Sequence, residues 1–121
     1  MHLEDLKIYM VKNMVYKILI FTFISIISLY GANEKKGQRY YIKNCSSCHG
    51  SGKRGGNLAT MEDWENYFLN NAKELKTMHP KQKEVVEYLN SKKFNEKHKE
   101  KMLIFLKEFA KDSPTIPSCN N

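Results

Sequence analysis

The sequence contains no stretch of useful length in which polar and apolar residues alternate, and no segment of it is repeated. Half-buried β-strands show such alternation, and repeat proteins show a fixed period, so neither architecture fits. A composition typical of disorder is also missing, because 41% of the residues are hydrophobic and 12% are aromatic. With 121 residues, one domain is the limit. The pattern predicts a folded, all-α domain.

Cysteine is scarce. The three cysteines, Cys45, Cys48 and Cys119, are an odd number, so no disulfide framework can use them all. A structural zinc site would need a second Cys-x-x-Cys or His-x-His pair, and none is present. No βαβ pattern surrounds Cys45 and Cys48, which disfavours a thioredoxin-like redox motif. For Cys119, a free thiol, an intermolecular disulfide and a tolerated surface residue all remain open.

Long basic blocks are missing as well, although the net charge is +7. The lysines are spread among glutamates in segments with helical patterning, which disfavours nucleic-acid binding. From Asn33 onward the chain carries 17 basic and 11 acidic residues, a net charge of +6. This charge fits a solvated lysine-rich face, and it also fits a positive surface that steers the domain toward an acidic partner.

The longest apolar run, residues 18–29, reads ILIFTFISIISL. Lys12 and Lys17 precede it and the small pair Gly31-Ala32 follows, which is the layout of a secretory signal. Twelve residues are short for a bilayer that needs about 20 helical residues, so cleavage is favoured over a permanent membrane anchor. An uncleaved anchor is the alternative.

We therefore expect residues 1–32 to be a leader and residues 33–121 to be the mature domain. Glu4 and Asp5 do not suit a positively charged leader, and Met14 would make a better start. Export would place the domain outside the cytoplasm, where thiols tend to be oxidised or otherwise used.

Helical patterning covers most of the remaining sequence. Residues 33–44 predict a short helix, and the four glycines in residues 46–57 predict a loop. Thr60 is the expected N-cap of a helix that runs to about Met78. Its buried stripe is expected to comprise Trp64, Phe68, Ala72 and Leu75.

Two further helices are predicted toward the C-terminus. Pro80 suits the first turn of a helix that reaches about Asn90, with its apolar side facing inward. Residues 91–95 break the pattern, and a last helix is expected from about Glu96 to Lys111. The residues expected to be buried in these two helices are Val85, Val86, Leu89, Met102, Leu103, Phe105, Leu106 and Phe109.

The motif that points to chemistry is Cys45-Ser46-Ser47-Cys48-His49. Cys-x-x-Cys-His is the spacing used for c-type haem attachment. Two thiols separated by two residues can reach the two vinyl groups on one edge of a porphyrin, and the adjacent histidine then lies under the iron. The motif predicts one covalent haem c, held by Cys45, Cys48 and His49.

Residues 37–58 resemble the small monohaem c-type cytochromes of the soluble mitochondrial and bacterial type. That family places a glycine and an aromatic residue eight and four positions before the first haem cysteine, where this chain has Gly37 and Tyr41. The resemblance implies a small bundle of about four helices around one covalently bound haem. It also implies that these two residues contact the last helix, at Leu103, Leu106 or Phe105.

After the motif, the family continues with Gly-Pro-x-Leu, and this chain has residues 55–58, Gly-Gly-Asn-Leu. Gly56 stands where the family has proline, whose carbonyl accepts the ring N–H of the haem-binding histidine. Gly56 keeps a carbonyl but lacks the rigid proline ring. We expect Gly56, Leu58 and Trp64 to contribute to haem binding.

The sequence leaves the second axial ligand open. The family usually provides a methionine from the loop before the last helix, where this chain has only Lys92 and Lys93. Met102 is expected to pack in the core instead. Met78 and His79 lie at the end of the Thr60 helix and are the preferred candidates. His98, expected to be solvated, and an empty sixth position are the alternatives.

Three functions are compatible with such a domain. We expect a periplasmic one-electron carrier between respiratory or oxidoreductase partners, whose docking surfaces would be acidic. A haem module that binds or senses small ligands, and a cytochrome subunit of a larger oxidoreductase, are the alternatives. An enzyme is not expected, because one haem without an acid/base pair beside it provides little for catalysis.

Overall fold

A computed structural model describes residues 2–50 and 52–115, so Cys119 lies outside the described residues. Every regular element in these ranges is helical, which confirms the predicted all-α class. Contacts divide the chain into two units, Met1–Ala32 and Asn33–Asn121. The first helix, α1, begins at Leu3 in the first unit and ends at Asn44 in the second.

The first unit consists of the N-terminal part of α1. The large apolar side chains of residues 3–26 are exposed, among them Leu19, Phe21 and Phe23. Among the described residues, α1 is the one helix that is long and apolar enough to cross a membrane, although signal sequences share these properties.

The second unit contains the remaining helices. After α1 come α2 (Ser46–His49), a 3₁₀ helix (Gly52–Leu58), α3 (Met61–Met78), α4 (Lys83–Asn90), a π-helix (Phe94–His98) and α5 (Lys99–Glu108). The core is largely aromatic and draws side chains from nearly all of these elements. Its largest fully buried side chains are Phe94, Phe105 and Met102.

The end of α1 crosses α5 at Gly37. A Cβ atom at this position would overlap the backbone carbonyl of Lys101 and lie 3.0 Å from the Cβ of Phe105. One turn further along, the Tyr41 ring packs on the Phe105 ring with centroids 5.7 Å apart. The resemblance implied Leu103, Leu106 or Phe105 as partners, and Phe105 packs against both Gly37 and Tyr41.

Helix α3 begins as predicted. The Thr60 hydroxyl accepts from the Asp63 backbone N–H at 3.1 Å, and the Asp63 carboxylate accepts from the Thr60 backbone N–H at 3.3 Å. Trp64, Phe68 and Ala72 are buried. The helix is not regular, however, because residues 70–72 have left-handed φ angles of 49–56°.

Three predicted boundaries were wrong. The glycine-rich segment 46–57 is not an irregular loop, because it folds into α2 and the 3₁₀ helix. Pro80 lies in a turn, and α4 begins only at Lys83. Residues 91–95 do not separate two helices by a loop, since the π-helix begins at Phe94 and leads directly into α5. The cause is Phe94 itself, which is fully buried and joins this segment to the core.

Candidate cofactor site

Cys45, Cys48 and His49 form a single helical turn. The backbone N–H groups of Cys48 and His49 both donate to the Cys45 carbonyl, at 3.3 and 3.1 Å. Helical residues three positions apart share a face, so the two thiols lie on the same side of the chain. Cys45 is half-buried, whereas Cys48 and His49 are exposed. The turn therefore presents two thiols and an imidazole together.

The Tyr41 side chain packs against the segment that contains this turn. Its hydroxyl donates to the Gly50 carbonyl at 2.8 Å, just after His49. Burial, followed by the proximity of Cys45, raises the pKa of Tyr41 to about 12, so the phenol keeps its proton at neutral pH. A Cβ at Gly55 would overlap the Tyr41 ring. Tyr41 thus fixes both ends of the segment that follows the motif.

The thiol of Cys45 is shielded. Burial, and then the neighbouring Cys48, raise the pKa of Cys45 to about 11. Free Cys45 is therefore almost entirely in its neutral form at pH 7.

A second histidine lies against the motif. The Nε2 atom of His79 is 3.4 Å from the Nε2 atom of His49, and the two rings are almost perpendicular, at 82°. His79 is the residue that caps the C-terminus of α3. Its other ring nitrogen, Nδ1, is 2.6 Å from the Leu75 carbonyl. Of the candidates for a second axial ligand, His79 is the one brought to His49.

The three residues expected to line the haem occupy different environments. The Trp64 indole, which is buried, donates through Nε1 to the Gly56 carbonyl at 2.8 Å. The carbonyl that the resemblance pairs with the His49 ring thus has a Trp64 donor in this structure. Leu58 exposes 52% of its surface at the end of the 3₁₀ helix. Trp64 and Gly56 are joined, while Leu58 offers an apolar side chain at the surface.

The other two candidate ligands lie elsewhere. Met78 exposes 47% of its surface. His98 was expected to be solvated, and this was wrong: it is buried, with an exposed fraction of 5%. Its ring stacks on Tyr40 with centroids 3.8 Å apart, and its Nδ1 is 2.8 Å from the Tyr88 hydroxyl. Its neighbours Lys97 and Lys99 favoured an exposed position, but the π-helix directs the His98 side chain into the core.

Two contributors to these sites were not found in the sequence. The Leu75 carbonyl holds the His79 ring, and the Tyr88 hydroxyl binds His98. The first has a visible signal, because Leu75 precedes His79 by four residues, the spacing of neighbours on a helix. The second has none, because it depends on how α4 packs on the π-helix.

The residues present fit a covalently bound haem. Two thiols on one side of a helical turn suit thioether bonds, and each of two facing imidazoles can ligate iron. Metal–imidazole bonds are about 2 Å long, so two imidazoles on opposite sides of one metal have nitrogens about 4 Å apart. The observed 3.4 Å is close to this distance. Within the described residues, no group of three or more His, Cys, Asp or Glu side chains is arranged to hold a metal ion by itself.

One comparison with known proteins found a match. Residues 32–89 match the family model described as cytochrome c oxidase, cbb3-type, subunit III. The match covers just under half of the chain and includes both the Cys45–His49 turn and His79. No curated protein and no solved structure matches the chain. The match indicates a c-type cytochrome domain. Together with the Cys-x-x-Cys-His turn, it is consistent with a small monohaem c-type cytochrome, and a domain of this type implies covalently bound haem c.

Proposed function

We propose that this cytochrome is an exported one-electron carrier whose haem is attached through Cys45 and Cys48, with His49 as an axial ligand. The observation that supports it best is the helical turn that presents these three side chains together. The haem supplies a one-electron iron couple, and its potential depends on the axial ligands and on burial of the ring. Cys45, Cys48 and His49 would hold the group, with His49 oriented by the helical turn, and Trp64 would contribute to its binding from the start of α3.

Attachment is tested by producing the full chain in a bacterial host with and without its cytochrome c maturation machinery. The expected product is red only with maturation, and its haem resists acid-acetone extraction. Cys45→Ser/Cys48→Ser should lose this haem, whereas Ser46→Ala/Ser47→Ala, which changes only the two residues between the cysteines, should keep it. Extractable haem, or a colourless product from the competent host, contradicts the proposal.

Electron transfer without turnover is the second part of the proposal. We expect reversible one-electron reduction in a potentiometric titration and no peroxidase or oxidase activity of the isolated protein. The alternative is a subunit of a larger oxidoreductase, which the family match favours, since the matching model is that of an oxidase subunit. Purification from the native membrane as a stable complex would support the alternative, and recovery as a free monomer would support the carrier.

The proposed partner has an acidic docking surface. Basic residues surround both histidines in the sequence: Lys53 and Arg54 follow His49, and Lys76, Lys81 and Lys83 flank His79. Lys53, Arg54, Lys81 and Lys83 are exposed. Charge of one sign near the electron entry point raises the encounter rate with an oppositely charged protein.

Export is proposed from the N-terminal part of α1. We propose that the domain functions in the periplasm, either free after cleavage near Ala32 or held by an uncleaved helix. Fractionation and intact mass of the mature protein decide between these two forms. A cytoplasmic, haem-free product in the native cell would contradict export.

A further inference from the structure

The strongest unassigned feature is the position of His79 at the end of α3. Its backbone is fixed, because its N–H donates to the Lys76 carbonyl at 3.2 Å and its own carbonyl accepts from the Gln82 N–H at 3.3 Å. Pro80 follows directly and restricts the conformation of the residue before it. The side chain therefore leaves a defined point at the helix terminus rather than a mobile loop.

The hydrogen bond to Leu75 sets the state of the His79 ring. A carbonyl oxygen can only accept, so the 2.6 Å contact requires the proton to be on Nδ1. In a neutral imidazole, the proton on Nδ1 leaves Nε2 with a free lone pair. Histidines that bind metals usually donate their other ring N–H to a carbonyl or carboxylate in this way. His79 thus has the tautomer and the orienting contact of a ligand.

The free nitrogen faces His49. The 3.4 Å separation of the two Nε2 atoms is within reach of the spacing of two imidazoles on one iron. We propose that His79 is the sixth ligand of the haem iron, so that the iron is held between the Nε2 atoms of His49 and His79. This inference deepens the function proposed above and rests on it.

The competing candidates lack this combination. Met78 is the neighbouring residue, but it is about half exposed and His79 is the side chain that contacts His49. His98 is buried with its Nδ1 engaged by Tyr88 and its ring stacked on Tyr40. Among residues 2–50 and 52–115, neither of them shares a hydrogen bond or ring contact with His49.

Two histidine ligands predict specific properties. A methionine ligand raises the reduction potential of a cytochrome c relative to a second histidine. The reduction potential of this protein should therefore be lower than that of cytochromes c with one histidine and one methionine ligand. Filling of the sixth position by a side chain also means that carbon monoxide must displace His79 to bind. The resting protein then has no vacant iron position for a small ligand.

The test is optical and electron paramagnetic resonance spectroscopy of the purified full chain with its covalent haem. The wild type should be low-spin in both oxidation states, without the charge-transfer band of an iron–sulfur bond. His79→Ala should become high-spin and bind carbon monoxide, and its low-spin spectrum should return with added imidazole. Met78→Leu, one position away, and His98→Phe should keep the wild-type spectrum.

Each other result has a defined meaning. An iron–sulfur band in the wild type that disappears in Met78→Leu overturns the assignment in favour of Met78. An unchanged low-spin spectrum in His79→Ala overturns it outright, as does a high-spin, five-coordinate spectrum of the wild type. All of these require a protein with covalent haem, so they leave the proposed function intact, whereas absence of covalent haem removes the proposed function itself.

Discussion

The indole Nε1 of Trp64 donates a 2.8 Å hydrogen bond to the carbonyl of Gly56. This bond joins the first turns of α3 to the 3₁₀ helix that follows the haem-attachment turn. Both partners are buried. The bond thus couples the segment carrying the motif to the longest helix of the domain.

Replacement of Trp64 by phenylalanine should destabilise the domain. The ring would still fill much of the space, but the buried Gly56 carbonyl would lose its donor, which costs about 1–3 kcal/mol. Urea unfolding followed by circular dichroism measures this difference. Asn66→Ala, at an exposed position of the same helix, should change stability by less than about 0.5 kcal/mol. Equal midpoints for the two variants would show that the bond contributes nothing.

The crossing of α1 and α5 should not tolerate a side chain at Gly37. An added Cβ would overlap the Lys101 carbonyl, so Gly37→Ala must push the helices apart. Overpacking of this kind typically costs about 1–3 kcal/mol, which lowers Tm by roughly 4–8 °C per kcal/mol in a domain of this size. Scanning calorimetry of the haem-loaded protein measures this decrease in Tm. Gln38→Ala, at the adjacent half-buried position, should retain the wild-type Tm within a few degrees.

Much of α3 and the haem turn could be predicted from sequence, because both depend on local signals. The Thr60 cap needs only Asp63 three residues later, and Cys-x-x-Cys-His needs only its own spacing. The left-handed residues in α3 could not be predicted. Asparagine tolerates that conformation, but alanine has no such local tendency, and Ala72 adopts it with its side chain fully buried in the core.

The burial of His98 could not be predicted from the sequence either. Its sequence neighbours are charged, which predicts an exposed position, and the π-helix instead directs it between Tyr40 and Tyr88. That burial depends on contacts between residues far apart in the chain. Likewise, the preference for His79 over Met78 depends on a distance to His49 that no local pattern encodes.

The buried His98 should make stability depend on pH. Desolvation first, and then the charges of Lys93, Lys101, Lys43 and Lys97, hold the pKa of His98 below its ordinary value of 6.5. The folded protein therefore binds fewer protons at this site than the unfolded chain does, so stability falls as pH drops below about 6.5 and levels off below the folded pKa. Urea titrations of the haem-loaded protein at pH 5–8 measure the free energy of unfolding at each pH, and so the slope of stability against pH.

Two variants identify the source of that slope. His98→Phe should keep the stacking position on Tyr40 and reduce the loss of stability between pH 7 and pH 5. Tyr88→Phe removes only the hydroxyl that contacts His98, so the histidine stays buried and the slope should persist. An identical pH profile in His98→Phe and the wild type would assign the acid sensitivity to other groups.

The basic residues near the two histidines should control the rate of reaction with charged reagents. A net charge of +6 for residues 33–121 attracts anions, and salt screens this attraction over about 10 Å at 0.1 M. Stopped-flow oxidation of the reduced cytochrome by ferricyanide should therefore slow as salt is added, whereas oxidation by a cationic cobalt complex should accelerate. Lys81→Gln/Lys83→Gln should weaken both trends more than Lys92→Gln/Lys111→Gln, which removes the same charge from exposed positions farther along the chain. Equal effects of the two pairs would mean that total charge, rather than charge beside His79, steers the encounter.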